Sequence, residues 1–321
     1  MATRKPNKKK RKPPKKGTRE RTKKTEPVSR HDMERYNRAI IKILDEKGVK
    51  DIDEANAFLK SFLEGKTLDE IVEMVDENPE DQAMDLAYQA MNSYSEEEGL
   101  SLCNKALEID PHCIDALVFK AKCDARSTWD FAARLRTIVR DAEQRFGEEF
   151  MEETRGHFWG MVETRPYMRA RQILVQALES SSQLSEAIVE CETMLALNPG
   201  DNQGMRDVLR GYYLQTDNIE GVQRLNNDYP EEMCATYMWS AVLERWLSDD
   251  LEQAEKLVRA GHRQNPHVVQ YLTGKRRPPD ILPDYFSFGD ESEAVTCAFL
   301  LGIAWEHHPK AITWLKALAL K

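Results

Sequence analysis

No stretch of the 321-residue chain is apolar for long enough to cross a bilayer; the longest nearly apolar run, Ala294 to Trp305, is short and interrupted. The first residues hold no apolar core of the kind a secretory signal needs. Six cysteines, Cys103, Cys113, Cys123, Cys191, Cys234 and Cys297, show no paired spacing, so no disulfide framework is implied. Together these absences predict a cytoplasmic protein with reduced thiols. Chemistry-bearing motifs are missing too. "NPGDNQG" has glycines, but no strand precedes it and no Lys-Ser/Thr follows, so it reads as a turn rather than a phosphate cradle. Cys103, His112, Cys113 and Cys123 lack the short paired spacings that converge on zinc, and the sequence implies no metal and no cofactor.

What the chain does have is charge, unevenly placed. Residues 1–30 contain fourteen Lys/Arg and two Glu, a balance of +12; taking this from the total of −9 leaves −21 on the remainder. The tail holds four prolines and almost no apolar side chain, so it cannot bury enough surface to fold alone and reads as disordered. Such a run can meet phosphates, act as an import signal, fold back on the acidic body or only keep the chain soluble. No aromatic side chain is interleaved to stack on bases, which weakens the nucleic-acid reading without removing it.

From His31 onward the apolar residues follow a helical period. Tyr36, Ile40, Ile43 and Leu44 form one stripe, with Gly48 as a stop. Ile52, Ala55, Phe58, Leu59 and Phe62 form a second, ending near Gly65. Thr67 and Glu70 make a capping box for a third, expected to carry Ile71, Met74 and Val75 toward Asn78-Pro79.

The organising pattern then appears three times. "GLSLCNKALEIDPHC", "AIVECETMLALNPGD" and "AEKLVRAGHRQNPHV" each place a small residue, a second contact residue four positions on and a third three beyond it. The triples are Gly99/Cys103/Ala106, Ala187/Cys191/Met194 and Ala254/Val258/Gly261, followed by Pro111, Pro199 and Pro266. Another amphipathic helix and a polar turn lie upstream of each. Pro199 and Pro266 are 67 residues apart, close to two periods of about 34. Pro111 to Pro199 is 88, so some twenty extra residues sit near 146–164, beside a degenerate pair expected near 114–125 and 131–145. The reading is all-α: an α-solenoid of helix–turn–helix repeats over 80–270, with a helical segment at 31–79 and a C-terminal connection and capping helices at 271–321.

These residues resemble the tetratricopeptide repeat (TPR) family: Leu86, Ala87, Ala106 and Pro111 match its signature in the first unit, Leu174, Ala187 and Pro199 in the third, Ala254 and Pro266 in the last. "ETRPYMRAR", "LALNPGDNQG" and "NPHVVQYLTGK" are also similar to poorly characterised TPR proteins. The segment "FGDESEAVTCAFLLGIAWEHHPKAITWLKAL" resembles the suppressor-of-tumorigenicity TPR family, whose members are associated with membranes, whereas this sequence has no span. The resemblance implies binding rather than chemistry: a scaffold or adaptor that takes a protein or peptide in a concave groove. The lysine and asparagine clamp of chaperone-binding TPR domains is not matched, because Gln and Arg stand at those positions.

Under that resemblance the repeat phase puts Arg169, Gln172 and Gln176 on the groove, then Arg206, Arg210 and Tyr213, then Trp239 and Trp246 with Leu243 between. A cationic, amide-lined segment beside an aromatic one would suit a peptide with acidic and apolar residues. The alternative is that the Trp side chains pack on the C-terminal helices and the Arg side chains pair with nearby acids. "HFWGMVETRPYMRARQ", residues 157–172, admits two readings: His157, Glu163, Arg165 and Tyr167 as an acid/base set, or a repeat boundary with Thr164 capping a helix that Pro166 opens. With no nucleophile nearby, the second is preferred and no enzyme is expected. The connection around Ile281, Leu282, Tyr285 and Phe286 is expected to lie against the last repeat, since these side chains are costly to leave exposed.

Overall fold

The computed structural model describes residues 29–49, 51–76, 78–230, 233–283 and 285–318; all but the last two residues of the cationic segment 1–30 lie outside the described residues. Among the described residues there are sixteen helices and no strand. The first three are α1 (Arg30–Glu46), α2 (Ile52–Phe62) and α3 (Leu68–Val72). Ser29 and Asp32 form a capping box that starts α1, and Gly48 follows its C-cap in the left-handed region. The Thr67–Glu70 box is present as well, with the Thr67 N–H donating to Glu70 at 2.7 Å. One expectation fails here: the third helix stops at Val72 with Met74 exposed. The second helix runs where its stripe places it, with Phe58 and Phe62 half-buried against the α1–α3 cluster and Ile52 alone of the stripe exposed.

Five helical hairpins follow: α4 (Pro79–Met91) with α5 (Glu96–Ile109), α6 (Ile114–Asp124) with α7 (Thr128–Glu153), α8 (Arg165–Ser180) with α9 (Leu184–Leu197), α10 (Met205–Gln215) with α11 (Ile219–Asp228), and α12 (Ala235–Leu247) with α13 (Leu251–Gln264). The repeated triples explain the packing. Gly99, Cys103 and Ala106, then Ala187, Cys191 and Met194, then Ala254, Val258 and Gly261 are all buried. Small and medium side chains at these spacings share one helix face and let the paired helix come close. The extra residues near 146–164 lengthen α7 past a kink at Gly147 (φ 78°) and supply the turns before α8. Thr164 stands at the N-cap of α8, yet its hydroxyl donates to the carbonyls of Phe158 and Met161 rather than capping the helix.

Neighbouring first helices pack α4 on α6, α6 on α8 and α10 on α12, whereas α8 and α10 touch little. The remaining helices, α14 (Val268–Leu272), α15 (Glu291–His307) and α16 (Pro309–Ala317), return over this face. α15 packs against α10, α12 and α14, and α1 packs against α4 at the other end. At the crossing of α10 and α15 a Cβ on Gly211 would stand 2.4 Å from the Leu300 carbonyl oxygen, so only glycine allows that approach. One apolar cluster runs from Val118 to Leu315, with smaller ones under α4–α6 and under α1–α3.

Candidate functional site

The residues expected on the groove do not share one surface, because α1 and α15 of the same chain cover much of it. Arg169 is held on both sides: its Nη1 donates to Glu34 of α1 at 2.9 Å, while Nε and Nη2 donate to Asp115 of α6 at 3.1 and 2.5 Å. Its guanidinium also lies over the Tyr88 ring, whose hydroxyl donates to Glu34. Burial pushes the Tyr88 hydroxyl pKa up, which keeps it a protonated donor. Arg38 adds bonds from α1 to Asp81 and Asp85 of α4. This cluster fastens α1 to the hairpins.

Farther along, Arg210 is completely buried, donating to Asp207 at 2.6 Å and Asn226 at 3.1 Å, beside the Tyr237 ring. Arg206 is part-exposed and lies over the Tyr229 ring near Asp201. Tyr213 is buried and bonds Glu192. Trp239 is wholly buried, edge-on to Trp305 of α15 at 6.4 Å between ring centres and against Gly261; Trp246 is half-buried on the main core. The interior positions of Arg210 and Trp239 take them out of reach of a partner in this arrangement. With Arg169 and Arg210 bonded to the chain's own carboxylates, an acidic peptide would find few of the cations expected for it.

Gln172 and Gln176 are placed differently. They line an open cleft of about 390 Å³ between α8, α10 and α15, where α8 and α10 diverge. Val175, Met205, Val208 and Leu300 make its floor, and Glu179, bonded to the buried Tyr212, stands at one end. Phe299 of α15 is 61% exposed at the cleft, and Ile303, one turn on, is 46% exposed. Gln172 and Gln203 exchange hydrogen bonds, leaving the exposed Gln176 amide facing solvent. The arrangement has an apolar floor with amides on the rim: it can bury apolar side chains and bond a peptide backbone. Nothing in the repeat spacing marks Phe299 and Leu300; the signal that points to them is α15 itself, whose apolar residues fall on every side of the helix, so that one face meets something besides the core.

No family model and no curated protein matches the chain. What the site can do must therefore be read from its own geometry.

In the stretch 157–172 Arg165 and Tyr167 are bonded to other groups rather than to the candidate acid/base residues His157 and Glu163, although Glu163 and Pro166 line an open pocket of about 420 Å³ with residues of α1, α4 and α7. His157 and Glu163 are exposed, while Tyr167 is buried, donating to Glu143 at 2.8 Å and accepting from Arg171 at 2.7 Å. Arg165 bonds the Trp159 carbonyl. Among the described residues no group of three His, Cys, Asp or Glu side chains is arranged to hold a metal ion. No described helix is long and apolar enough to cross a membrane. Burial pushes the Cys103 thiol up to about 11 and Cys113 to about 12, which keeps both protonated and poorly nucleophilic near neutrality.

Proposed function

We propose that the chain is a non-enzymatic protein–protein interaction scaffold, an α-solenoid of TPR-like repeats that takes a peptide segment in the cleft between α8, α10 and α15. The supporting observation is that cleft itself, where the exposed Phe299 and the part-exposed Val208 and Leu300 line an opening between two successive first helices that touch little. The repeat reading draws on the helix order and on the buried triples recurring in α5, α9 and α13. The partner's anchors are apolar, with its backbone bonded by Gln176; this replaces the acidic peptide expected from the arginines.

A second reading, nucleic-acid or ribosome association, draws on the +12 balance of residues 1–30. Capture from native lysate separates the two, using the intact chain, a chain lacking residues 1–30, and Phe299→Ser. Discrete proteins lost only with Phe299→Ser support the cleft. RNA or ribosomes lost only on deleting the tail, with a steep salt dependence, support the second reading and demote the first.

A further inference from the structure

Helix α1 is seated on the hairpins by charge rather than by apolar packing. Its apolar side chains, Ala39 and Ile43 with Tyr36 and Ile40, pack with Ile71, Phe58 and Phe62 in the cluster under α1–α3. No residue of α1–α3 belongs to the apolar clusters of the hairpins. The side of α1 turned to the hairpins carries His31, Glu34, Arg35, Arg38 and Lys42, one stripe at helical spacing. His31 and Arg35 meet Asp85 of α4 at 2.9 and 2.8 Å, and Arg38 and Lys42 meet Asp81. The buried Glu34 accepts from Arg169 of α8 through both oxygens, at 2.9 and 3.0 Å, and from the Tyr88 hydroxyl of α4. Apolar closure is missing where α1 runs on. The open pocket of about 420 Å³ has Ile41 on one side and Met84, Ile114, Phe146 and Pro166 on the other. Buried ion pairs gain in attraction roughly what they lose in hydration, so they set register and add little net affinity. Removing one member strands the other, whereas lifting the whole helix returns both to water.

We infer that the face formed by α4, α6 and α8 is a docking site for a basic amphipathic helix of a partner protein, and that α1 is its intramolecular occupant, which the partner helix displaces. This face is separate from the cleft between α8, α10 and α15, and its occupation does not depend on what that cleft binds. Stacked helical hairpins present such a face as a binding surface, and a helix laid into a groove is a common way to fill it. The seated helix gives the chemistry of the partner. Basic side chains stand where Arg35, Arg38 and Lys42 meet Asp81 and Asp85. A carboxylate takes the place of Glu34, where Arg165 and Arg169 converge and Asp115 of α6 holds Arg169 from behind. An apolar side chain longer than Ile41 fills the open pocket, which α1 leaves unfilled. That extra burial is what lets a partner compete with a tethered helix, whose effective concentration is on the order of millimolar.

The test uses the full chain and a fluorescein-labelled synthetic peptide of residues 29–46 carrying Ile41→Phe. Anisotropy gives its affinity for the wild type and for Arg38→Ala/Lys42→Ala, which loosens α1 and leaves Asp81, Asp85 and Arg169 in place. The peptide is expected to bind that variant at least roughly tenfold tighter than the wild type, since the tethered competitor is weakened. A second peptide with Glu34→Ala should bind at least roughly tenfold more weakly, because it leaves Arg169 without its carboxylate. Hydrogen exchange on the wild type needs no variant: saturating peptide should speed exchange in α1 at least roughly tenfold and leave α4 and α8 protected. Equal affinity for wild type and variant, indifference to Glu34→Ala, or α1 exchange unchanged by the peptide would each overturn the inference. Sedimentation showing dimers that exchange α1 would put a second copy in the seat and overturn the partner helix.

Discussion

Alanine in place of glycine raises stability on one side of the α10–α15 crossing and lowers it on the other. A Cβ on Gly211 would lie 2.4 Å from the Leu300 carbonyl oxygen and 3.5 Å from its carbon. The obstacle is backbone inside α15, so no rotamer change relieves it and one helix must move. Overpacking of this kind costs about 1–3 kcal/mol. Against it stands the helix-propensity gain of Gly→Ala, about 0.5–1 kcal/mol. A clash this short belongs at the upper end of that range, so Gly211→Ala should destabilise by about 1–2 kcal/mol net. For a chain of 321 residues that lowers Tm by roughly 1.5–3 °C. Gly302, on α15 itself, is the control: nothing lies within 4 Å of a Cβ there, so Gly302→Ala should stabilise by about 0.5–1 kcal/mol. Urea unfolding and thermal circular dichroism measure both. Equal stabilisation by the two substitutions would refute the close crossing of α10 and α15.

Arg169→Ala leaves Glu34 and Asp115 buried without their shared cation, so it should cost about 3–5 kcal/mol and speed hydrogen exchange in α1. Glu293→Ala strands buried donors, since that carboxylate accepts from the Ala235 N–H at 2.8 Å, the Asn265 amide at 2.9 Å and the Gly289 N–H. Denaturant unfolding should show a loss of about 3 kcal/mol. Asp290 at the start of α15 is held below the ordinary carboxylate range, first by the Ser292 hydroxyl and then by backbone N–H groups of Glu293 and Ser292. Its contribution is therefore present above about pH 4 and lost as pH falls through the lowered pKa, and Asp290→Asn should flatten the fall of Tm below that pH. Cys103, Cys113, Cys191 and Cys297 are buried, so a thiol reagent should leave them unmodified until the chain unfolds, while the less buried Cys123 reacts in the native state.

Helix order was largely legible in the sequence because it rests on local signals: a capping box at Thr67 and Glu70, prolines at fixed offsets, and small residues repeated at helical spacing. The buried triples in α5, α9 and α13 followed from spacing alone. What sequence could not supply was the route of the two ends. Whether Glu34 reaches Arg169, 135 residues away, or Trp305 reaches Trp239 depends on α1 and α15 crossing a face that the periodicity leaves undefined. Arg169, Arg210 and Trp239 look alike as groove residues and as core until those helices are placed. Gln172 and Gln176 escaped this fate because they sit where α8 and α10 diverge. The connection between α14 and α15 divides: Leu282 packs on the main core as its apolar content suggests, while Ile281, Tyr285 and Phe286 are presented outward.

The most direct test of the binding-scaffold account is peptide selection on the full chain, followed by affinity measurement on the chain carrying Phe299→Ser. The account predicts enrichment of peptides with two or more large apolar anchors, bound at the cleft and weakened at least roughly tenfold by Phe299→Ser. Absence of enrichment, or equal affinity with and without Phe299, would contradict it.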